Sequence, residues 1–127
     1  MKIFKNKRFA RFARQEDITD RDLCEAIDRA ERGLIDAPLG GGLIKQRIAR
    51  PNEGKSGGFR SIIAFRSGER AFFAYGFPKN QRDNINDAEL KALKELAQQY
   101  FGLTDEQIEA ATQAEVLTEV KCDDLQK

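Results

Sequence analysis

Residues 59–77 read FRSIIAFRSGERAFFAYGF, and this stretch decides the fold. Apolar side chains alternate over 59–66, residues 67–70 have the composition of a turn, and residues 71–77 are almost wholly apolar. The alternation separates two faces: Phe59, Ile63 and Phe65 on one, and Arg60, Ile62 and Ala64 on the other. The stretch therefore predicts an antiparallel hairpin whose second strand is central and covered on both sides.

The segment before the hairpin predicts a third strand. In residues 43–50, Ile44 and Ile48 point one way, while Lys45 and Arg47 point the other. Because short connections link all three strands, they favour an antiparallel meander over a parallel sheet.

Helical periodicity and capping patterns predict four helices around this sheet. They are expected over 6–15, from Thr19 to between Gly33 and Pro38, from Asn86 to Phe101 with Gly102 as its C′ residue, and from Thr104 through Val120. Ile3 and Phe4 predict a short edge strand, and residues 39–42 a turn or flexible connection. The predicted fold class is α+β, an antiparallel sheet of three to four strands with two N-terminal helices and C-terminal helices.

Charge is distributed unevenly along the 127 residues, although the net charge is only +1. Residues 43–82 contain nine Lys or Arg and two acids, whereas residues 83–127 contain four Lys and eleven acids. A basic middle segment beside an acidic one indicates a binding site for a polyanion. The alternative is a solvated surface on which the charges happen to segregate.

Several kinds of chemistry are excluded by what the chain lacks. It has no histidine, which removes Ser-His-Asp triads and the usual zinc sites. Gly54-Lys55-Ser56 lacks the earlier glycine of a P-loop and precedes a strand rather than a helix. Only Glu53 and Glu69 lie within the basic segment, so we expect neither a two-metal nuclease site nor any other cofactor.

The sequence also predicts where the protein is found. Mean hydropathy is −0.61, with no long apolar run and no secretory signal, so we expect a cytoplasmic protein without membrane contact. Cys24 and Cys122 lie far apart and outside any metal-ligand spacing, which predicts reduced thiols.

The basic strands and loops predict one cationic site, made by Arg60, Lys55, Lys45 and Arg47. Arg and Lys bind phosphate and stabilise charge that develops in phosphoryl transfer, and a lysine among other cations can transfer protons. Such a site can cut RNA by activating its own 2′-hydroxyl without a metal. Phosphate binding without cleavage would use the same residues.

Three segments together resemble the RelE/HigB-type toxins of bacterial type II toxin–antitoxin modules. They are LIKQRIA at 43–49, GKSGGFRSIIAF at 54–65 and YGFPKN at 75–80, followed by a leucine-rich helix. The resemblance covers roughly residues 3–101 of a single predicted domain, 1–127, in which residues 102–127 add a C-terminal helix and tail. It implies a curved antiparallel sheet and inhibition of translation through mRNA cleavage, usually on the ribosome.

The resemblance also implies roles for individual residues. Arg60 matches the family's arginine near the start of that strand, the best single candidate for contact with the phosphate or the transition state. Lys45 and Arg47 match the basic strand before it, and Lys55 matches the loop lysine. Expected RNA-binding residues are Lys79 and Arg82, in the loop after the last strand, and Arg50. Two positions depart from the family: Asn80 stands where many members are basic, and Asn86 stands where some carry a functional tyrosine.

The partners implied are a cognate antitoxin, mRNA on the ribosome and, through the antitoxin, operator DNA. Two other functions stay open on the residues alone. One is a non-catalytic toxin of the related ParE type, which binds DNA gyrase; the other is a degenerate module that only binds the antitoxin. The acidic helix after Gly102 either shields the basic face or caps the fold.

Overall fold

A computed structural model describes residues 1–49, 58–82 and 84–122 of the chain. Its strands are β1 (Lys2–Asn6), β2 (Ala37–Gly40), β3 (Leu43–Ile48), β4 (Phe59–Arg66), β5 (Arg70–Pro78) and β6 (Leu117–Glu119). Its helices are α1 (Lys7–Gln15), α2 (Asp20–Glu31), α3 (Asp87–Phe101) and α4 (Asp105–Gln113). The fold is α+β, as predicted.

The sheet is larger than predicted and is mixed rather than antiparallel. In the described ranges it has six strands in the order β2-β3-β4-β5-β1-β6. The predicted meander of β3, β4 and β5 is confirmed. β1 is not an edge strand, because it lies between β5, to which it is parallel, and β6, to which it is antiparallel. Its long-range partners leave no local signal, so the apolar pair Ile3 and Phe4 could not reveal them.

The predicted last helix is wrong in its second half. α4 ends at Gln113, and the chain turns at Glu115, which has a positive φ of 61°. Leu117 and Val120 then enter core clusters on opposite sides of the sheet. Residues three apart lie on the same face of a helix, so a helix could not place Leu117 and Val120 on opposite sides of the sheet. The pattern that looked weakly helical belongs to a short strand and to the residue after it.

The glycine segment before β3 is more ordered than predicted. Leu39 and Gly40 belong to β2, which forms a tight hairpin with β3. Gly40, Gly41 and Gly42 all have positive φ, a conformation that favours glycine and explains the run of three.

The helix starts were predicted correctly, because each has a side-chain cap that the sequence shows. Asn6, Thr19, Asn86 and Thr104 accept hydrogen bonds from the first turns of α1, α2, α3 and α4. The expected helix end is wrong in one detail: Gly102 has a φ of −86° and is not a left-handed C′ residue.

Two apolar cores lie on opposite faces of the sheet. The first contains α1, α2 and the β4 residues Phe59 and Ile63, while the second contains α3, α4 and the β4 residues Ile62 and Ala64. α4 packs through Ile108, and its Asp105 pairs with Arg70 at the start of β5. The acidic helix therefore caps the end of the sheet at which β5 begins.

A disulfide links Cys24 of α2 to Cys122, with 5.7 Å between the Cα atoms. The prediction of reduced thiols is therefore wrong. The two cysteines are 98 residues apart, and only the return of the chain through β6 brings them together. Close by, the backbone N–H of Lys121 donates to Asp20 Oδ2 at 3.0 Å. None of the helices in the described ranges combines the length and apolar character that a membrane crossing requires.

Candidate functional site

Arg47 and Arg60 face each other across β3 and β4 as direct cross-strand partners. Such partners share one face of a sheet, and this face is the one that α3 covers further along the strands. Lys45 lies on the same face two residues from Arg47, opposite Ile62. The structure therefore brings together three of the four residues predicted as catalytic.

The guanidinium of Arg60 is only partly satisfied within the described residues. Its Nε lies 3.9 Å from Asp36 Oδ2, at the outer limit of an ion pair, and the side chain is 17% exposed. Its Nη1 is buried and has no hydrogen-bond partner in residues 1–49, 58–82 and 84–122. A buried donor without a partner is unfavourable, and like charges directly opposite each other in a sheet are destabilising. A phosphate between the two guanidinium groups would relieve both.

Buried hydrogen bonds hold the two strands under this arginine pair. Ser61 Oγ donates to the carbonyl of Gln46 at 2.8 Å, and both residues are fully buried. The amide of Gln46 donates to the carbonyl of Ala26 at 2.9 Å, which anchors β3 to α2. Arg29 of α2 donates to the carbonyl of Arg47. The cations therefore project from a rigid support, as a preorganised site requires.

Arg82 is held by its own neighbours. It forms a bidentate pair with Glu89, at 2.5 and 3.0 Å, and donates to the carbonyl of Asn84 and to Tyr75 Oη. The guanidinium of Arg82 holds the pKa of Glu89 below its usual range, and the pKa of Arg82 is raised in turn. Because the fold favours the carboxylate form, this pair stabilises the protein at pH values above the ordinary pKa of Glu. That stabilisation is lost as the pH falls through the lowered pKa of Glu89.

The remaining predicted positions lie at the same end of the sheet or outside the described residues. Lys79 is half-buried just after β5, where its backbone N–H donates to the carbonyl of Gly58 at 3.2 Å. Pro78 pairs with Phe59, so Lys79 and Arg82 follow β5 near the start of β4 and Arg60. Lys55 and Arg50 lie outside the described residues.

The two departures from the family have different places. Asn80 is exposed in the turn after β5. Asn86 caps α3 and exchanges hydrogen bonds with Glu89, at 2.8 Å in each direction. Its side chain is thus committed to the helix start.

The structure shows contacts of this surface that the sequence did not predict. The guanidinium of Arg8 lies 5.2 Å from the ring centre of Tyr75, and that of Arg82 lies 5.4 Å from the ring centre of Phe77. Asp36 and Arg29 were missed as well, since only the folding of α2 onto β3 reveals them. Alternation along β5 was the available signal for Tyr75 and Phe77. In the described ranges, no group of three or more carboxylate or thiol side chains is placed to hold a metal ion.

Comparison with known proteins identifies a family. The family described as the RelE toxin of the RelE / RelB toxin-antitoxin system matches residues 1–120. No curated protein matches the chain. The family implies an antitoxin as partner. Since the match spans nearly the whole chain, the protein belongs to the RelE family of toxins from toxin–antitoxin modules.

Proposed function

We propose that this toxin inhibits translation in the cytoplasm by cleaving mRNA on the ribosome, without a metal ion or other cofactor. The observation that carries the proposal is the pair Arg47 and Arg60, two adjacent cations of which one has a buried donor without a partner in the part of the chain that the structure describes. Family membership supports the toxin class, and the arginine pair supports phosphate as the group that binds.

The proposed reaction is attack of a ribose 2′-hydroxyl on the neighbouring phosphate. The bond from the 2′-oxygen to phosphorus forms, and the bond from phosphorus to the 5′-oxygen of the next nucleotide breaks. The proton leaves the 2′-hydroxyl, and the departing 5′-oxygen takes up a proton. The products are a 2′,3′-cyclic phosphate and a 5′-hydroxyl, and no metal is needed.

Arg47 and Arg60 have the proposed role of stabilising the negative charge that develops on the phosphate oxygens. Lys45 and Lys55 are the candidates for proton transfer. The proposed contacts to the rest of the RNA are made by Lys79, Arg82 and Arg50. Arg82 would bind RNA either through the face of its guanidinium or after leaving its present partner, Glu89. The antitoxin would neutralise the toxin, and the complex could contact operator DNA through the antitoxin.

The test is induced expression of the wild type and of Arg60→Ala in bacterial cells, with mapping of new mRNA 5′ ends. We expect growth arrest and new ends with the wild type, and a loss of cleavage of about 10²-fold or more with Arg60→Ala, the usual effect of removing a transition-state donor. Arg66→Ala is the matched control, because Arg66 lies at the other end of β4 and stacks on Phe101.

Two outcomes would contradict the proposal. Intact mRNA during growth arrest by the wild type would exclude cleavage, and inhibition of gyrase supercoiling by the purified toxin would then favour the ParE-type function. Equal mRNA cleavage by the wild type and Arg60→Ala would remove Arg60 from the reaction.

A further inference from the structure

The solvent face of α1 is almost entirely cationic. Five residues of this helix are exposed: Lys7, Arg8, Arg11, Arg14 and Gln15. The other four, led by Phe9 and Ala13, are buried or half-buried against the sheet. From Lys7 to Arg14 the helix rises about 10 Å, at about 1.5 Å per residue. The cations therefore form a continuous ridge, which we call the α1 ridge: Lys7, Arg8, Arg11 and Arg14.

This arrangement is unfavourable for the helix itself. Lys7 and Arg11 are four residues apart, and Arg11 is three residues from both Arg8 and Arg14. Like charges at these spacings destabilise a helix by about 0.2–0.5 kcal/mol per pair. The first turn has no acid, and its two cations lie at the positive end of the helix dipole.

Compensation within the molecule is only partial. Glu115 and Glu119 share a surface depression with Lys7 and Arg14, at one side of the ridge. On the other side, Arg8 lines a small cavity together with Tyr75 and Glu89, and its charge helps to lower the pKa of Glu89. Repulsion that the fold relieves only in part is expected where a ligand supplies the remaining counter-charge.

A chain of side-chain contacts links the α1 ridge to the Arg47/Arg60 site. Arg60 pairs across to Phe77 of β5, so Arg47, Arg60 and Phe77 form a row across three strands. Phe77 contacts Tyr75, with 5.9 Å between ring centres, and the guanidinium of Arg8 lies over Tyr75. These contacts connect Arg60, on the face of the sheet, with Arg8 in the first turn of α1.

We propose that the α1 ridge binds the phosphate backbone of the same single-stranded RNA whose reacting phosphate lies between Arg47 and Arg60. This inference rests on the proposed function and names a second contact surface for its substrate. Single-stranded RNA fits because the path bends. α1 packs on the opposite face of the sheet from Arg60, through Phe9 against Phe73 and Phe12 against Phe59. A flexible strand can follow the path around the end of β5, whereas a rigid duplex cannot.

Binding is measured with a fluorescent single-stranded RNA whose 2′-hydroxyls are methylated, so that the assay does not depend on cleavage. Fluorescence anisotropy gives the affinity over a range of salt concentrations for the wild type and for Arg11→Gln/Arg14→Gln. For single strands, log affinity falls with log salt, and the slope has a magnitude of about 0.7 per phosphate contact. We therefore expect the slope to fall by about 1.4 in the double variant, with several-fold weaker binding at low salt.

The matched control is Arg21→Gln/Arg32→Gln. It removes the same charge from exposed positions of α2 and should keep the wild-type slope. Arg60→Ala, assayed for mRNA cleavage as above, tests the proposed function separately.

Each unfavourable outcome has its own meaning. The same salt slope in the wild type and in Arg11→Gln/Arg14→Gln would overturn the ridge proposal and leave the Arg60 result untouched. Tighter binding of a duplex RNA of the same length, lost in the double variant, would overturn the single-strand assignment. Loss of poly-glutamate binding with unchanged RNA binding would assign the ridge to an acidic protein instead. Absence of cleavage by the wild type would reject the proposed function, while the slope would still report on the ridge.

Discussion

Helices α1 and α2 follow each other in the chain and pack against the same core, yet their outer faces differ. In α2, Arg29 pairs with Glu25 and Arg32 with Asp28, both at i, i+4 spacing, and the first turn contains two acids. In α1 the exposed side chains are four cations and one glutamine. Both helices pack against the core in the same way, since each buries a stripe of apolar residues. The difference therefore lies on the solvent side, which core packing does not constrain.

The largest expected effect comes from the disulfide, which ties α2 but not α1 to the C-terminal segment. Reduction of the wild type should lower the free energy of unfolding by about 3–5 kcal/mol, the range for a closed loop of this length. Chemical denaturation with and without a dithiol measures it, and amide exchange should rise more in α2 than in α1.

Cys122→Ser is the control for the reductant. Its stability should match that of the reduced wild type and should not change when the dithiol is added. Equal unfolding free energies of the oxidised and reduced wild type would contradict a stabilising bond between α2 and Cys122.

A second prediction concerns α1 alone, which packs on Gly76 of β5. A Cβ at Gly76 would lie 2.5 Å from Phe12 and 2.9 Å from Phe9, so Gly76→Ala should push α1 off the sheet. Overpacking of this kind costs about 1–3 kcal/mol. Gly102→Ala is the control, because a Cβ there would be at ordinary contact distance, 3.5 Å from the nearest atom. Equal thermal stability of the two variants would show that α1 is less tightly seated than its contacts indicate.

The two N-caps should also differ. The side chain of Asn6 accepts from Phe9 N and donates to the carbonyl of Ala74 and to Tyr100 Oη. Among the described residues, the side chain of Thr19 makes only the hydrogen bond of its capping box. Replacing a cap by alanine costs about 1 kcal/mol, and each further lost bond adds about 0.5–1.5 kcal/mol. Denaturation midpoints should therefore place Asn6→Ala below Thr19→Ala. The reverse order would mean that the bonds of Asn6 to β5 and α3 contribute little.

The smallest expected effect concerns the outer faces themselves. Arg11→Gln removes three like-charge pairs of α1 and should raise stability by about 0.6–1.5 kcal/mol. Glu25→Gln removes a favourable pair of α2 and should lower stability by about 0.2–0.5 kcal/mol. Measurements at low salt resolve both changes, and high salt should reduce them. A loss of stability in Arg11→Gln would mean that repulsion does not destabilise the α1 ridge.

Local patterns in the sequence predicted local structure well. The β4–β5 hairpin and the helix starts follow from alternation and from cap residues such as Thr19, whose partners are a few positions away. The sequence also predicted that β3 and β4 are neighbours, but the register that sets Arg47 opposite Arg60 is known only from the structure.

Long-range pairings escaped prediction because they have no local signature. β1 pairs with β5, β6 pairs with β1, and Cys24 pairs with Cys122. In the site, the bidentate pair of Arg82 with Glu89 depends on how the loop after β5 folds onto α3. A charge pattern shows that a cation is present, but it does not show whether a carboxylate of the same chain already holds it.

The parallel pairing of β1 with β5 has a consequence for the order of folding. Residues 2–5 are synthesised long before their partners, residues 70–73. Strand pairings between distant residues form slowly, because the loop between them must close first. β6 and Cys122 add to the same region after β5 has been made. β1 therefore stays without either of its neighbouring strands until β5 and then β6 have emerged, and α2 gains its covalent link to the segment after β6 later still.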